Sequence, residues 1–273
     1  MAQAPLDALG ILAGNGVYPR LLADSARKAG VKKIVVVAFT GETDPRLEQH
    51  VDLIEWMRVG QLNRLLKFFR AHDIHHAIMA GQIAPKNLFD LQPDWKALLL
   101  LGKLKERNAE SIFAAIADEL AKIDVKLLPA TTFLEDSLAS AGLVAGAKLS
   151  RQEEEDVDLG WKTAKEIARL DIGQTVIVKN GTLVAVEAFE GTNETIKRGG
   201  ALARAGAVMV KVAKPNQDMR FDVPVIGVET IRFSVEARVR VIAVEAGKTL
   251  LLERDAIVDL ANRSKLSIVA RAF

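Results

Sequence analysis

The sequence predicts an α/β protein in two parts, a doubly wound parallel sheet followed by a separate domain of mixed α+β structure. Three observations support this fold class. Strands and helices alternate up to about residue 128, as in successive βαβ units. The run Ile34–Phe39 is apolar without alternation, which is typical of a strand buried on both faces of a parallel sheet. Farther along, Asn180-Gly181 separates two apolar runs and supplies the two positive-φ residues of a hairpin turn.

The elements of the first half begin and end at residues with the expected preferences. Gly14 ends a first apolar run, Leu9–Ala13, and Gly30 stops the helix that follows it. The remaining predicted elements are a strand at Asp52–Trp56, a helix carrying Leu62–Phe69, a strand at His76–Ala80, helices at Asp94–Arg107 and Asn108–Ile123, and a strand at Val125–Leu128. The helix at Asp94–Arg107 has an apolar stripe beside lysines, and we expect it to pack on the sheet rather than rest on an anionic membrane.

The second half mixes a hairpin with helices and further strands, which is why we assign it to a separate α+β domain. Its predicted elements are a helix at Arg151–Leu170, hairpin strands at Gln174–Lys179 and Thr182–Glu187, a helix at Thr192–Arg204, strands at Ala207–Val212, Val239–Val244 and Thr249–Leu252, a helix from Arg254, and a strand at Ser267–Ala270. The stretch Pro129–Ser150 is poor in pattern and holds the boundary. We therefore take residues 1–132 and 133–273 as the two domains.

The composition excludes several classes of function. The chain has 273 residues, 37 Lys and Arg against 35 Asp and Glu, and no cysteine. The resulting net charge of +2 argues against nucleic acid as a partner, and the lack of cysteine excludes thiolate nucleophiles and Zn–Cys sites. No apolar run approaches the roughly 18 residues of a membrane span. Met1–Asp7 lacks the basic segment followed by an apolar core that is typical of a secretory signal. We therefore expect a cytoplasmic globular protein.

A glycine-rich loop is the first candidate binding site. Gly14-Asn15-Gly16 follows the first strand and opens a helix, where backbone N–H groups can approach a phosphate. Gly81 ends another strand and is expected to flank the same crevice. The dinucleotide fingerprint Gly-x-Gly-x-x-Gly is incomplete because Pro19 stands in its last position. Two interpretations stay open: contact with a nucleotide or phosphate, or glycines that only permit tight turns.

The highest density of polar side chains lies in two segments of the second half. Their candidate site residues are Glu187, Glu190, Thr192, Lys197, Lys214, Gln217, Asp218, Arg220 and Asp222. Carboxylates suit a hard cation such as Mg²⁺, and Lys and Arg suit the phosphates that such a cation bridges. Pro215 and Pro224 frame the second segment between apolar strands, so we interpret it as a site rather than as a solvated loop.

The chain resembles the LpxI-type UDP-2,3-diacylglucosamine diphosphatases in motifs that cover nearly its whole length in order. These are Leu9–Gly16, Ala80-Gly81, Arg169–Gln174, Ala185–Glu194 and Lys214–Gly227. The resemblance implies a Mg²⁺-dependent hydrolase of lipid A biosynthesis. Its reaction splits the pyrophosphate of UDP-2,3-diacylglucosamine into UMP and 2,3-diacylglucosamine 1-phosphate (lipid X) by attack of water on phosphorus. It also implies a Rossmann-like N-terminal domain, a homodimer, and peripheral contact with the cytoplasmic face of the inner membrane.

The resemblance implies a role for Asp222, and the chemistry of the reaction suggests roles for the other candidate residues. The aspartate of the family's Arg-x-Asp-x-Pro segment corresponds to Asp222, which we expect to bind Mg²⁺ or to orient the attacking water. With Asp222, Lys214 and Arg220 complete the predicted catalytic set. The other expected metal ligands are Asp218, Glu187 and Glu190; the expected phosphate and substrate contacts are Lys197, Gln217, Thr192, Gly14, Asn15, Gly16 and Gly81. Asn193 stands where relatives tend to carry Asp, so we do not count it as a ligand.

Two other classes of function stay open. A nucleotide-sugar-binding sensor would keep the same loops without catalysis. A Rossmann oxidoreductase would use the first domain as its cofactor site, but the end of the second strand reads Ala38-Phe39-Thr40 and lacks the acidic residue that binds a ribose.

Overall fold

The computed structural model describes residues 6–83, 93–104, 109–215 and 217–272, which form two compact units. The first unit runs to Glu135 and also includes Asp218–Asp222. The second unit contains Asp136–Gln217 and the described residues from Val223 onward. The domain limits 1–132 and 133–273 stay a prediction, and the sequence pattern does not predict that Asp218–Asp222 belongs with the first unit.

The first unit is built on a parallel sheet. Within the described residues its strands are β1 (Ala8–Ala13), β2 (Lys33–Phe39), β3 (Leu53–Met57), β4 (His76–Ala80) and β5 (Lys126–Leu127), and its helices are α1 (Tyr18–Lys28), α2 (Leu62–Ala71), α3 (Trp95–Lys103) and α4 (Ala109–Ala121). The strand order is β3-β2-β1-β4-β5, and every neighbouring pair is parallel. The chain thus winds outward in both directions from the β1–β4 pair, as the predicted doubly wound sheet requires.

The centre of this sheet is covered on both faces, which confirms the prediction from the unbroken apolar run. Residues 34–38 of β2 are all fully buried. Phe69 of α2 is fully buried in the cluster on one face, with Val35 and Val37 of β2. Burying a side chain of this size stabilises the fold by roughly 1.5–3 kcal/mol. The packed sheet therefore fixes the carboxyl ends of its strands, where the glycine loops follow.

The second unit is built on a mixed sheet. Within the described residues its strands are β6 (Gly142–Ala145), β7 (Thr175–Lys179), β8 (Thr182–Val186), β9 (Ala207–Lys211), β10 (Val225–Ile226), β11 (Val239–Glu245), β12 (Leu250–Leu251) and β13 (Ser267–Arg271), and its helices are α5 (Arg151–Arg169), α6 (Thr192–Ala203), α7 (Val228–Glu236) and α8 (Arg254–Arg263). The main sheet has the order β6-β13-β11-β9-β7-β8. The pairs β9–β11 and β11–β13 are parallel and the other pairs of this sheet are antiparallel, so the predicted mixed class is confirmed.

Helices cover both faces of the second sheet. Val157 and Trp161 of α5 pack on one face. Ile196 of α6, Ile231 of α7 and Ile257 of α8 pack on the other face, and all three are fully buried. The apolar core of this unit therefore consists of two layers, one on each face of the sheet.

The predicted hairpin joins β7 to β8 through Asn180-Gly181, and both turn residues have positive φ. Asp156, on α5, is only 2% exposed. Its carboxylate accepts hydrogen bonds from the backbone N–H groups of Asn180 at 2.9 Å and Gly181 at 2.6 Å. Local turn chemistry and one buried acceptor therefore fix this hairpin against α5.

Three elements of the second unit, β6, β10 and α7, are absent from the sequence predictions. β6 is a four-residue edge strand, and it exists because it pairs with β13 far along the chain. α7 carries the β-branched residues Val228, Thr230 and Ile231, which have low helix propensity, and burial of Thr230 and Ile231 overrides that preference.

α3 is shorter than the helix predicted at Asp94–Arg107, and residues 105–107 lie outside the described residues, as does Asn108, the first residue of the next predicted helix. Asp94 caps α3, because its carboxylate accepts the Ala97 N–H.

The expectation that this helix buries its apolar stripe on the sheet is wrong in part. Ala97 is buried and Leu100 packs against the core, but Trp95, Leu98 and Leu99 are 60, 57 and 57% exposed. Among the described residues, no helix combines the length and the apolarity that crossing a bilayer requires.

Candidate functional site

The two predicted glycine loops lie side by side at the carboxyl edge of the first sheet. Gly14-Asn15-Gly16 follows β1, and Gly81 follows its neighbour β4. The Gly14 N–H donates to the Ala80 carbonyl at 2.7 Å, and the Asn15 N–H donates to the Gln82 carbonyl at 2.7 Å. The two loops therefore form a backbone bridge at the point where the chain reverses its winding direction.

The glycines permit this close approach. A Cβ atom at Gly14 would lie 2.6 Å from the Gln82 oxygen, and one at Gly81 would lie 2.6 Å from the Asn15 oxygen. Gly81 also has a φ of +89°, where side chains are disfavoured. Gly14 and Gly81 thus have a packing role, and contact of this loop with a nucleotide or phosphate stays a prediction.

Replacing Gly81 by alanine tests that packing role. We expect a loss of roughly 2–5 kcal/mol in the free energy of unfolding of the first unit, because the positive φ and the clash with the Asn15 oxygen both cost energy. Gly16→Ala is the matched control, since Gly16 also has a φ of +89° but open space around its Cβ position. It should cost only about 1–2 kcal/mol. Urea unfolding of both variants measures the difference, and equal losses would contradict the packing role.

The segment Asp218–Asp222 is held on the first unit. The Met219 carbonyl accepts the Ala130 N–H at 2.7 Å. The Phe221 ring packs against the core of that unit, with its centroid 5.7 Å from that of Phe113. Three of the predicted site residues therefore belong to a segment with both a backbone and an apolar anchor.

Asp218 and Arg220 pair with each other inside this segment. Nε and Nη2 of Arg220 donate to the two Asp218 carboxylate oxygens at 2.6–3.1 Å. The Arg220 backbone N–H also donates to the Asp218 carboxylate, at 3.0 Å. The hydrogen bonds from Arg220 hold the pKa of Asp218 below its usual value. Asp218 is therefore a partner of the guanidinium, in the same segment as the predicted Mg²⁺ ligand Asp222.

Asp222 closes the segment. Its backbone N–H donates to the Asp218 carbonyl at 3.0 Å, which folds the five residues into a turn, and the residue is partly buried. Pro224 follows two residues later and is buried. The backbone that carries the Asp222 carboxylate is therefore constrained on both sides.

Lys214 and Gln217 precede this segment and belong to the second unit. Lys214 Nζ pairs with the Asp171 carboxylate at 2.5 Å, and the Lys214 backbone N–H donates to Gln217 Oε1 at 2.6 Å. Gln217 Nε2 is buried and has no hydrogen-bond partner among the described residues. An unpaired buried donor is costly unless a ligand or water accepts its bond, so the Gln217 amide suits a ligand oxygen.

A buried polar cluster joins the ends of β8 and β9 to the start of α6. Glu187 and Lys211 are only 7% and 5% exposed. Glu187 Oε1 accepts the Thr192 hydroxyl at 2.7 Å, and Lys211 Nζ donates to the same hydroxyl at 2.7 Å. Burial acts to raise the pKa of Glu187, but the Lys211 ammonium and the hydrogen bonds outweigh it and hold the pKa below its usual value. We call Glu187, Thr192 and Lys211 the buried cluster.

Glu190 and Lys197 form ion pairs with side chains of α6. Glu190 Oε1 accepts from Arg198 at 2.5 Å, and this hydrogen bond holds the pKa of Glu190 below its usual value. Lys197 Nζ pairs with Glu194 at 2.6 Å and lies 4.6 Å from the centre of the Phe233 ring. Both pairs are partly solvated, so each contributes little to stability. The assignment of Glu190 to a metal and of Lys197 to a phosphate stays a prediction.

Four carboxylates, those of Asp222, Asp218, Glu187 and Glu190, are predicted as Mg²⁺ ligands, and that assignment stays a prediction. In the part of the chain that the structure describes, no group of three or more His, Asp or Glu side chains is placed to hold a metal ion. Asp218, Glu187 and Glu190 each have a cationic or hydroxyl partner. Mg²⁺ often binds proteins through one or two carboxylates and takes its other oxygens from water and substrate phosphates. Asp222 fits that mode of binding, and a cage made of protein carboxylates alone does not fit.

Sequence reasoning missed two residues that the structure places beside the predicted ones. Lys211 lies inside the otherwise apolar run Ala207–Val212, and a lysine in such a buried run needs a polar partner, which is a signal for the buried cluster. Asp171 pairs with Lys214 across 43 residues of sequence, and no local pattern predicts that contact.

Both halves of the chain match the two domains of one family. Residues 8–137 match the LpxI N-terminal domain, and residues 140–269 match the LpxI C-terminal domain. The protein of Caulobacter vibrioides named UDP-2,3-diacylglucosamine pyrophosphatase LpxI is 29% identical over 266 residues, which are 93% of this chain and 94% of that protein.

Two biotin carboxylase structures are similar in part. The biotin carboxylase domain of Hydrogenobacter thermophilus 2-oxoglutarate carboxylase is 9% identical, with a TM-score of 0.29 over 74% of this chain and 42% of that one. The biotin carboxylase subunit of pyruvate carboxylase is 11% identical, with a TM-score of 0.27 over 73% of this chain and 42% of that one. This chain spans less than half of either, and such scores carry no argument about fold or function.

Proposed function

The chain belongs to the LpxI family, and from that premise we propose that it hydrolyses the pyrophosphate bond of UDP-2,3-diacylglucosamine in lipid A biosynthesis. The products are UMP and 2,3-diacylglucosamine 1-phosphate. The observation that carries the proposal is the match of both domains in the family's order, together with a relative of that name that aligns over 93% of this chain.

The reaction makes clear chemical demands. Water attacks one phosphorus, the bond from that phosphorus to the bridging oxygen breaks, and the other phosphate leaves. Negative charge on the phosphoryl oxygens must be neutralised, and the water must be positioned and lose a proton. The reaction therefore needs cations, a carboxylate and hydrogen-bond donors, and the sequence Lys214–Asp222 contains side chains of all three kinds.

Four residues of that segment receive roles in the proposal. Asp222 binds Mg²⁺ or orients the attacking water. Lys214 and Arg220 bind phosphate oxygens, and the Gln217 amide, a buried donor without a partner in the described residues, donates to an oxygen of the substrate. Lys214 and Arg220 exchange carboxylate partners for phosphate oxygens on binding.

Mg²⁺ is the cofactor that this proposal includes. Asp222 would hold it together with phosphate oxygens of the substrate, a ligand set that Mg²⁺ commonly accepts. When bound there, the ion supplies charge neutralisation at the phosphoryl oxygens. Glu187, in the buried cluster, supports the fold around the start of α6 rather than this ion.

Release of UMP tests the proposal. The purified chain is incubated with UDP-2,3-diacylglucosamine in detergent micelles, with Mg²⁺ or with a chelator, and the products are separated by thin-layer chromatography. We expect UMP and the lipid phosphate with Mg²⁺ and a large loss of rate with the chelator. Substrate that binds and is recovered unchanged would favour the sensor, and binding of NAD(P)H by fluorescence would favour the oxidoreductase.

We also propose that α3 contacts the membrane that contains the substrate. Trp95, Leu98 and Leu99 present an exposed apolar face, and Lys103 is exposed in the last turn of the same helix. A substrate with two acyl chains resides in a bilayer, and an apolar face beside a cation suits an anionic lipid surface.

The homodimer implied by the family stays a prediction, which static light scattering decides.

Substituting Leu98 by glutamate tests this contact. We expect about tenfold weaker binding to vesicles of phosphatidylethanolamine and phosphatidylglycerol, because one buried leucine contributes roughly 1.5 kcal/mol or more. Leu202→Glu is the matched control, since Leu202 is a leucine of the second unit that is 65% exposed on α6. Co-sedimentation measures the binding, and activity in detergent micelles should be unchanged. Equal vesicle binding by both variants would contradict the role of α3.

A further inference from the structure

A closed set of hydrogen bonds fixes the backbone at Ala213, which directly precedes Lys214. Glu245, the last residue of β11, accepts the Ala213 N–H on Oε2 at 2.8 Å. Lys165, on α5, donates to the Ala213 carbonyl at 2.9 Å and to the same Glu245 oxygen at 2.6 Å. One ion pair from two different elements therefore holds both backbone polar groups of a single, fully buried residue.

The ion pair is itself restrained. The Glu245 side chain is 9% exposed, and its other oxygen pairs with Lys248 at 2.9 Å. Lys165 Nζ lies 5.4 Å from the centre of the Trp161 ring. Burial acts to raise the pKa of Glu245, but hydrogen bonds from Lys165, Lys248 and the Ala213 N–H outweigh it and hold the pKa below its usual value. The Glu245 carboxylate therefore stays charged at neutral pH and keeps its hydrogen bond from the Ala213 N–H.

The backbone at Ala213 matters because regular structure has just ended there. β9 ends at Lys211, and the Val212 N–H donates to the Gln174 carbonyl at 3.0 Å. Beyond Ala213 the chain continues into the segment that carries the proposed phosphate-binding groups. A misplacement of about 1 Å in such groups can cost about 100-fold in rate. The ion pair that fixes the Ala213 backbone is therefore expected to affect the rate of the chemical step.

We propose that Lys165 and Glu245 are positioning residues of the reaction, which hold the Ala213 backbone and thereby place Lys214 and Gln217 against the substrate phosphates. This inference rests on the proposed function. Neither Lys165 nor Glu245 contacts the substrate, and each acts through Ala213.

Lys165→Met tests the inference with two readouts. We expect kcat for UMP release to fall about tenfold or more, with KM changed by less than about threefold, because the cost falls on positioning in the transition state. Hydrogen exchange of the Ala213 amide should become at least about tenfold faster. Lys165→Arg keeps the charge and the donors, so it should restore most of kcat. Lys162→Met is the matched control, since Lys162 is an exposed lysine of the same helix.

Two results would overturn the inference: a kcat for Lys165→Met within about twofold of the wild type, or an unchanged exchange rate at Ala213. If Lys165→Met does not fold, Glu245→Gln carries the same two readouts, because it keeps the size and an acceptor oxygen while removing the charge. Absence of turnover by the wild-type protein would instead count against the proposed function, and the exchange comparison, which needs no substrate, would still decide whether the ion pair orders Ala213.

Discussion

Asp222→Asn is expected to lower kcat for UMP release by at least about 100-fold, with an unfolding temperature close to that of the wild type. Asparagine preserves the shape of the side chain but removes the charge that orients a water or binds Mg²⁺. Because Asp222 is only partly buried and its backbone bond to Asp218 is kept, the turn should survive. Initial rates and thermal unfolding measure the two effects.

Glu229→Gln is the control for this variant. Glu229 is an exposed carboxylate in the first turn of α7, paired only loosely with Arg232 at 3.4 Å, so the same loss of charge should leave kcat unchanged. A rate for Asp222→Asn within about tenfold of the wild type would remove Asp222 from the catalytic set.

Lys211→Met is expected to lower the free energy of unfolding by about 3–5 kcal/mol at neutral pH. The substitution keeps most of the side-chain volume but leaves the Glu187 carboxylate buried beside a hydroxyl and without its cation. Urea unfolding measures the loss. Lys197→Met is the matched control, because it removes a lysine from an exposed pair with Glu194 and should cost less than about 1 kcal/mol.

The pH dependence of this loss has a definite sign. In the wild type the pKa of Glu187 is held below its value in the unfolded chain, so the interaction stabilises the fold above that value and is lost as the pH falls through the folded-state pKa. In Lys211→Met, burial acts without the ammonium and raises the folded-state pKa above the unfolded value. The deficit of the variant should therefore shrink between neutral pH and about pH 4. A deficit that stays constant over this range would contradict the account of the buried cluster.

The fold is predictable where local sequence decides the element. The apolar run Ile34–Phe39 predicts a buried strand, and β2 spans Lys33–Phe39. The Asn180-Gly181 turn predicts the β7–β8 hairpin for a reason contained in two residues. β6 depends instead on a partner strand far along the chain, and α7 depends on burial that overrides helix propensity, so no local pattern predicts either of them.

The candidate site is likewise predictable only in part. The residue types that pyrophosphate hydrolysis needs can be identified in the sequence, but their partners cannot. Asp218 is a reasonable metal ligand until the structure shows both its oxygens on Arg220. Lys211 reaches Thr192 because β9 pairs with β7, which is a property of the sheet and not of the loop.

Phosphorus NMR of the reaction in water enriched with oxygen-18 tests the central claim most directly. The account predicts that UDP-2,3-diacylglucosamine is converted to UMP and 2,3-diacylglucosamine 1-phosphate, with one oxygen-18 atom in one of the two phosphates, because water attacks phosphorus and the bond to the bridging oxygen breaks. Substrate recovered unchanged, or products with no label in either phosphate, would contradict it.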